Sequence, residues 1–236
     1  MPDIKTSNAT SERTVISPHP GRGIFLLELA VAAFITHIPY LGIPFKWLES
    51  FFHELSHALA TLLTGGTVSH IQLFPNGAGL CFSGGGMPVV IGFSGYAGAA
   101  VWGLTLFVMA TWPKGIKPAF ALLGVMVLVV LLFYARDVLT MGILLVLAGL
   151  FFLPLKLASA PWLVMLLRLL ALIVLLNALN SPTYLWGLEG QGDAVLLSDL
   201  IWLPPAFWIA SWLAVAAACL WLCWRRVNAL VNCNKL

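Results

Sequence analysis

The sequence predicts an all-α polytopic membrane protein of about six to seven transmembrane helices, with a small Gly-rich β-hairpin or re-entrant loop after the second of them. Three observations carry this. Of the 236 residues, 61% are hydrophobic and only 9% are charged, with a mean hydropathy of +0.98, far outside the range of soluble domains. The apolar residues gather in runs near membrane-spanning length. Those runs are separated by helix breakers: Pro44 with Lys46, the glycines between 65 and 86, Pro113 to Lys117, Arg136 with Asp137, and a polar stretch from Asn177 to Asp199.

Residues 1–23 read as a polar, disordered tail. They carry Lys5, Arg13 and Arg22 against Asp3 and Glu12 and contain three prolines, without the apolar core and small-residue cleavage site of a removed signal. Residues 24–224 form a single membrane-embedded domain, and 225–236 a short basic tail. Within the domain the apolar runs fall at about 24–43, 46–64, 88–112, 118–135, 138–155, 157–180 and 200–224. Both tails are basic and each prefers the cytoplasm, which seven full crossings cannot satisfy. Either one run is re-entrant, or the tight Arg136–Asp137 junction joins something other than a simple helix pair, or one tail loses the contest. The net charge of +3, from 12 Lys and Arg against 9 Asp and Glu, is scattered without a basic block, which excludes a nucleic-acid partner.

One inter-run segment is not helical in pattern. "TVSHIQLFPNGAGLCFSGGG" offers two short runs of β-formers around Pro75-Asn76-Gly77, bounded by glycines, a hairpin signal. No Asp, Glu, Lys or Arg occurs between Leu55 and Pro113. The hairpin is thus compatible with membrane depth if protein buries it or it lines a cavity, and equally with a Gly-rich loop outside the membrane.

The chemistry concentrates in "FFHELSHAL", residues 51–59. His53 and His57 stand four apart, on one helix face a turn from each other, with Glu54 about 100° round from His53. In this HExxH spacing two neutral imidazoles bind zinc and the glutamate stands beside the open coordination position. Ser50, His53, Glu54, His57, Thr61 and Thr64 make a polar stripe, with Phe51, Phe52, Leu55, Leu59, Leu62 and Leu63 on the remainder. Charged side chains in a span are costly without a partner, and a metal supplies one; a hydrogen-bonded polar cluster holding helices together is the alternative. A catalytic zinc takes a third protein ligand. Leu63 stands where an extended HExxHxxGxxH pattern would have its last histidine, so the ligand comes from His70, Asp137, Glu189, Asp193 or Asp199.

Three of those acids lie in "NALNSPTYLWGLEGQGDAVLLSDL". Together with "FHELSHALATLLTGG" and the Gly-rich hairpin, this stretch resembles the site-2 protease family of intramembrane zinc metalloproteases, peptidase M50B-like, over about residues 45–215. The likeness is to a small bacterial branch lacking accessory domains, with a Gly-Asp-Ala step in place of Leu-Asp-Gly. It implies zinc held by His53, His57 and Asp193, with Asp199 and Asp137 as runners-up. It also implies a bacterial cytoplasmic (inner) membrane location. The partners it implies are a membrane-protein substrate, the lipid bilayer and a regulatory membrane protein.

On that reading Glu54 is the catalytic base, taking a proton from water and passing it to the leaving amine. Asn177 and Asn180 are candidates for a hydrogen bond to the oxyanion, with helix-end capping as the alternative. The hairpin edge at 67–83 is a place for an unwound substrate to pair. Gly95, Ala99 and Gly103 suit helix packing. His19, His37, His70 and Glu28 suit solvated or hydrogen-bonded structural roles, and Trp186, Trp202, Trp208 and Trp212 suit interfacial belts. Cys81, Cys219, Cys223 and Cys233 form no CxxC pair and read as free, buried thiols. The competing functions are a membrane metal-binding or transport protein, whose ligands would spread along a pathway, and a catalytically inactive scaffold.

Overall fold

A computed structural model describes residues 20–38, 40–187 and 191–233. Most of the N-terminal tail, with Lys5, Arg13 and His19, lies outside the described residues, as do Glu189 and Lys235. Eight α-helices and one hairpin follow in order: α1 (Arg22–His37), α2 (Ile43–Leu63), β1 (Thr67–Leu73), β2 (Gly79–Gly84), α3 (Pro88–Ala110), α4 (Ile116–Phe133), α5 (Val138–Leu157), α6 (Ala160–Asn180), α7 (Asp193–Ile201) and α8 (Pro205–Cys233). Proline in the first turn opens α2, α3 and α6, where its missing N–H costs nothing. The run expected at 200–224 is divided, because Trp202 at φ 61° and Pro204-Pro205 end α7 before α8 begins.

Five helices are long and apolar enough to cross a membrane: α3, α4, α5, α6 with its continuation to Trp186, and α8. The all-α polytopic membrane class therefore holds. The interior is built on α3, whose small residues let neighbours approach closely. Gly103 backs onto Leu175 of α6 and Gly98 onto Ser56 of α2, each too close for a Cβ. Ala99 and Ala100 are wholly buried. On α2 the burial is wider than a single inward stripe, because Phe51, Phe52 and Leu55 are buried as well as the polar residues, and only Leu59, Leu62 and Leu63 reach the surface.

Side-chain contacts order the two ends of the bundle. Arg22 Nε donates to Asn228 Oδ1 at 2.7 Å, Phe25 packs on Phe107 and Trp224, and Arg226 reaches Thr111 Oγ1 at 3.4 Å. The start of α1 and the ends of α3 and α8 therefore share one end, the Arg22 end. At the opposite end the Met87 amide, before α3, donates to Thr64 Oγ1 after α2 at 3.0 Å. Ser181, after α6, donates to Glu49 Oε2 at 3.0 Å. The α4–α5 corner binds the hairpin there, through Ile71 N to Tyr134 O at 2.9 Å and Leu73 N to Thr140 Oγ1 at 2.9 Å. Helix α2 runs antiparallel to α3, from Phe52 stacked on Trp102 to Thr64 bonded to Met87, and so ends at the end opposite Arg22.

The antiparallel hairpin pairs Thr67 with Gly84 and Leu73 with Gly79. It lies along α2, with Trp47 Nε1 donating to Pro75 O at 3.1 Å and Ser50 Oγ to Gly77 O. It is therefore packed into the protein and is no free loop. The β1 edge is taken by the α4–α5 corner, while β2 is the last strand of a two-stranded sheet, its outer edge unpaired among the described residues.

One buried ion pair fastens α1. Arg168 of α6 donates to both carboxylate oxygens of Glu28, through Nε at 3.1 and 3.0 Å and through a terminal nitrogen at 2.6 Å. Both residues are under a tenth exposed. The sequence expectation of an interior partner for Glu28 is met by a residue in the middle of an apolar run. Removing one member strands the other charge, at a cost of about 3–5 kcal/mol, whereas replacing both with apolar residues is close to neutral. Glu28→Leu is accordingly expected to lower the unfolding temperature in detergent markedly, and Glu28→Leu with Arg168→Met to recover most of the loss.

Candidate metal centre

Helix α2 carries His53, Glu54 and His57 into the interior against α3, and a residue 136 positions beyond His57 completes the group. His53 Nε2 and His57 Nε2 are 3.0 Å apart, and Asp193 Oδ2 lies 3.2 Å from each. These ligand atoms all fall within 4.8 Å of one another, and among the described residues no other group of His, Cys, Asp and Glu is placed to hold a metal ion.

The ring orientation is set by a second contact. His57 Nδ1 is 2.7 Å from the Ile91 carbonyl oxygen, an acceptor only, so Nδ1 carries the proton and Nε2 of the neutral ring presents a lone pair. Asp193 stands at the first turn of α7, entered through Gly192 at φ 93°, a conformation that favours glycine. Its place is held by the packing of α7: Ala194 and Leu197 are buried in a cluster with Trp208, Ile209 and Trp212 of α8.

Two imidazole nitrogens and a carboxylate oxygen thus face one another, a donor set able to hold a cation among them. The local backbone leaves room for one. A Cβ added at Gly95 would lie 2.4 Å from His57 Nε2 and 2.5 Å from His53 Nε2. Gly95, expected to serve helix packing, thus also bounds this cluster. The donor set, two nitrogens and one oxygen, suits a divalent ion such as zinc with a coordination position left open.

Glu54 is buried beside the start of β2, so close that a Cβ at Gly79 would lie 2.6 Å from its Cγ and Oε1. His53, Glu54, His57 and Asp193 share a cavity of about 910 Å³. Thr36, His37, Lys46, Asn76, Asn180 and Tyr184 line its outer part, all near helix ends or the hairpin turn.

The other candidates lie elsewhere. Asp137 caps α5, accepting from the Thr140 amide at 2.8 Å, and Asp199 lines a separate pocket with Trp202 and Pro204. His70 stacks on Phe82 at 4.1 Å, and His37 Nδ1 lies 2.7 Å from Ala33 O, both structural contacts. Asn177 spends its amide on Phe45 O at 3.3 Å, tying α6 to α2, whereas Asn180 is exposed and lines the cavity. Trp186 and Trp202 are exposed, but Trp208 and Trp212 are buried, a correction to the interfacial reading. Trp212 lies 4.7 Å from Tyr96, which stands edge-on to His53 at 4.3 Å. Cys219 and Cys223 are buried free thiols, while Cys81 is only half-buried and lines the cavity.

Two site neighbours escaped the sequence reading. Glu49 is buried, with Oε2 on Ser181 and Oε1 without a hydrogen-bond partner among the described residues. Its signal was available: an acid four residues before His53 lies on the same helix face. Tyr96 carried no signal, since one aromatic in an apolar run reads as core.

The chain matches the model of the peptidase M50B-like family over residues 26–223 and belongs to that family. No curated protein and no solved structure matches it.

Because the two imidazoles would have to move to admit a methyl group, Gly95→Ala is expected to leave the fold intact and abolish metal binding. The check is the zinc-dependent rise in unfolding temperature, present in wild type and absent in the variant.

Proposed function

We propose that this membrane protease is a zinc-dependent intramembrane endopeptidase. The observation that carries the reading is the meeting of His53, His57 and Asp193 at a cavity that also holds Glu54. His53 and His57 hold the ion through Nε2 and Asp193 through its carboxylate. When bound, zinc supplies Lewis acidity, polarising the scissile carbonyl and acidifying water. Glu54 accepts a proton as water adds to the carbonyl carbon, and delivers it to the amine nitrogen as the C–N bond breaks.

A peptide bond within a membrane helix is shielded by its own hydrogen bonds, so the substrate has to unwind before it reaches the centre. The unpaired edge of β2 supports a place for it. Gly79, Leu80, Cys81 and Ser83 line the cavity, and their free backbone groups accept an extended segment by strand addition. Asn180, at the cavity wall with its side chain exposed, is the candidate donor to the oxyanion. The substrate is a membrane protein cut in or near a transmembrane segment. Transport would call for ligand groups strung along a pathway, and among the described residues they gather once.

The test is cleavage of a single-span substrate in proteoliposomes. Glu54→Gln is expected to reduce the rate by roughly 10²- to 10⁴-fold with zinc content and unfolding temperature unchanged. Chelation should abolish cleavage and zinc should restore it. Cleavage by Glu54→Gln at the wild-type rate would refute the assignment of the base.

A further inference from the structure

The two ends of the bundle differ in charge. At the Arg22 end stand Arg22, Arg225 and Arg226, Lys114 and Lys117 at the turn from α3 into α4, and Lys156 in the last turn of α5. At the opposite end the described cations are Lys46 and Arg136, and Arg168 lies inside on Glu28. Helices α1 and α2 together carry the chain from the Arg22 end to the opposite end, and α3, α4, α5, α6 and α8 alternate between the ends. The start of α1 and the end of α8 consequently lie together, as the Arg22–Asn228 hydrogen bond requires. Lysines and arginines next to spans are retained on the cytoplasmic side, so the structure removes the conflict between two basic tails: both face the cytoplasm at once.

The cavity lies at the other end. Its outer lining comes from the end of α1 (Thr36, His37), the hairpin turn (Asn76, Gly77) and the segment after α6 (Thr183, Tyr184), all of which sit opposite Arg22. We infer that the metal centre opens on the non-cytoplasmic face of the membrane, and that its substrate is the non-cytoplasmic end of a transmembrane segment or the stretch adjoining it. The sidedness rests on geometry and charge alone; the substrate part rests on the endopeptidase reading.

Single cysteines test the sidedness without any cleavage. Thr183→Cys and Lys114→Cys, both at exposed positions, are treated in intact spheroplasts with a membrane-impermeant maleimide, and each is scored against wild type, whose own thiols set the background. Labelling of Thr183→Cys in intact spheroplasts, with Lys114→Cys labelled only after permeabilisation, is the expected result. The reverse pattern, or equal labelling of both in intact spheroplasts, overturns the inference. Mass analysis of products from a single-span substrate then places the cut: the non-cytoplasmic half is expected, and the cytoplasmic half contradicts the substrate assignment. If Glu54→Gln cleaves normally the endopeptidase reading fails while the labelling result stands, so the two failures are distinguishable.

Discussion

Two imidazole nitrogens and a carboxylate oxygen meet at 3.0–3.2 Å from one another inside an apolar bundle, and the packing around them holds them there. The Ile91 carbonyl fixes which nitrogen of His57 faces inward. Gly95 removes the methyl group that would fill the space. The tryptophans of α8 lock α7, and α7 carries Asp193 to a helix far away in sequence. Each is a packing decision whose purpose becomes visible only at the centre.

The same constraint explains α2. A helix bearing Lys46, Glu49 and Glu54 is a poor lipid-facing span, and here it is packed between α3, α6 and the hairpin. The hairpin covers Glu54 through a glycine and has its own backbone satisfied on one side by the α4–α5 corner. Its other edge stays open along the cavity. Enclosure of the centre and access to it are thus provided by the two edges of one small sheet.

Much of this was legible in the sequence, for identifiable reasons. The apolar runs at 88–112, 118–135 and 138–155 became α3, α4 and α5 nearly as read, because length and breakers fix a span. The pair His53 and His57 was legible because both lie on one helix and spacing alone places them. Asp193 needed the family resemblance, since periodicity says nothing about a residue brought from another element by tertiary packing. The Glu28–Arg168 pair and the burial of Trp208 and Trp212 were not legible. They depend on which helix neighbours which, and an amphipathic aromatic reads alike at an interface and beside a metal site.

The central claim is that the three acceptors form one metal site, and zinc content of the purified protein tests it most directly. Wild type, His57→Ala and Asp193→Asn would be compared after identical metal exposure, with folding checked for each. The account predicts about one zinc per chain in wild type and loss in both variants, as expected for a site with three protein ligands. Retention by Asp193→Asn would detach the distant carboxylate from the site, and well-folded wild type without specific zinc would contradict the account as a whole.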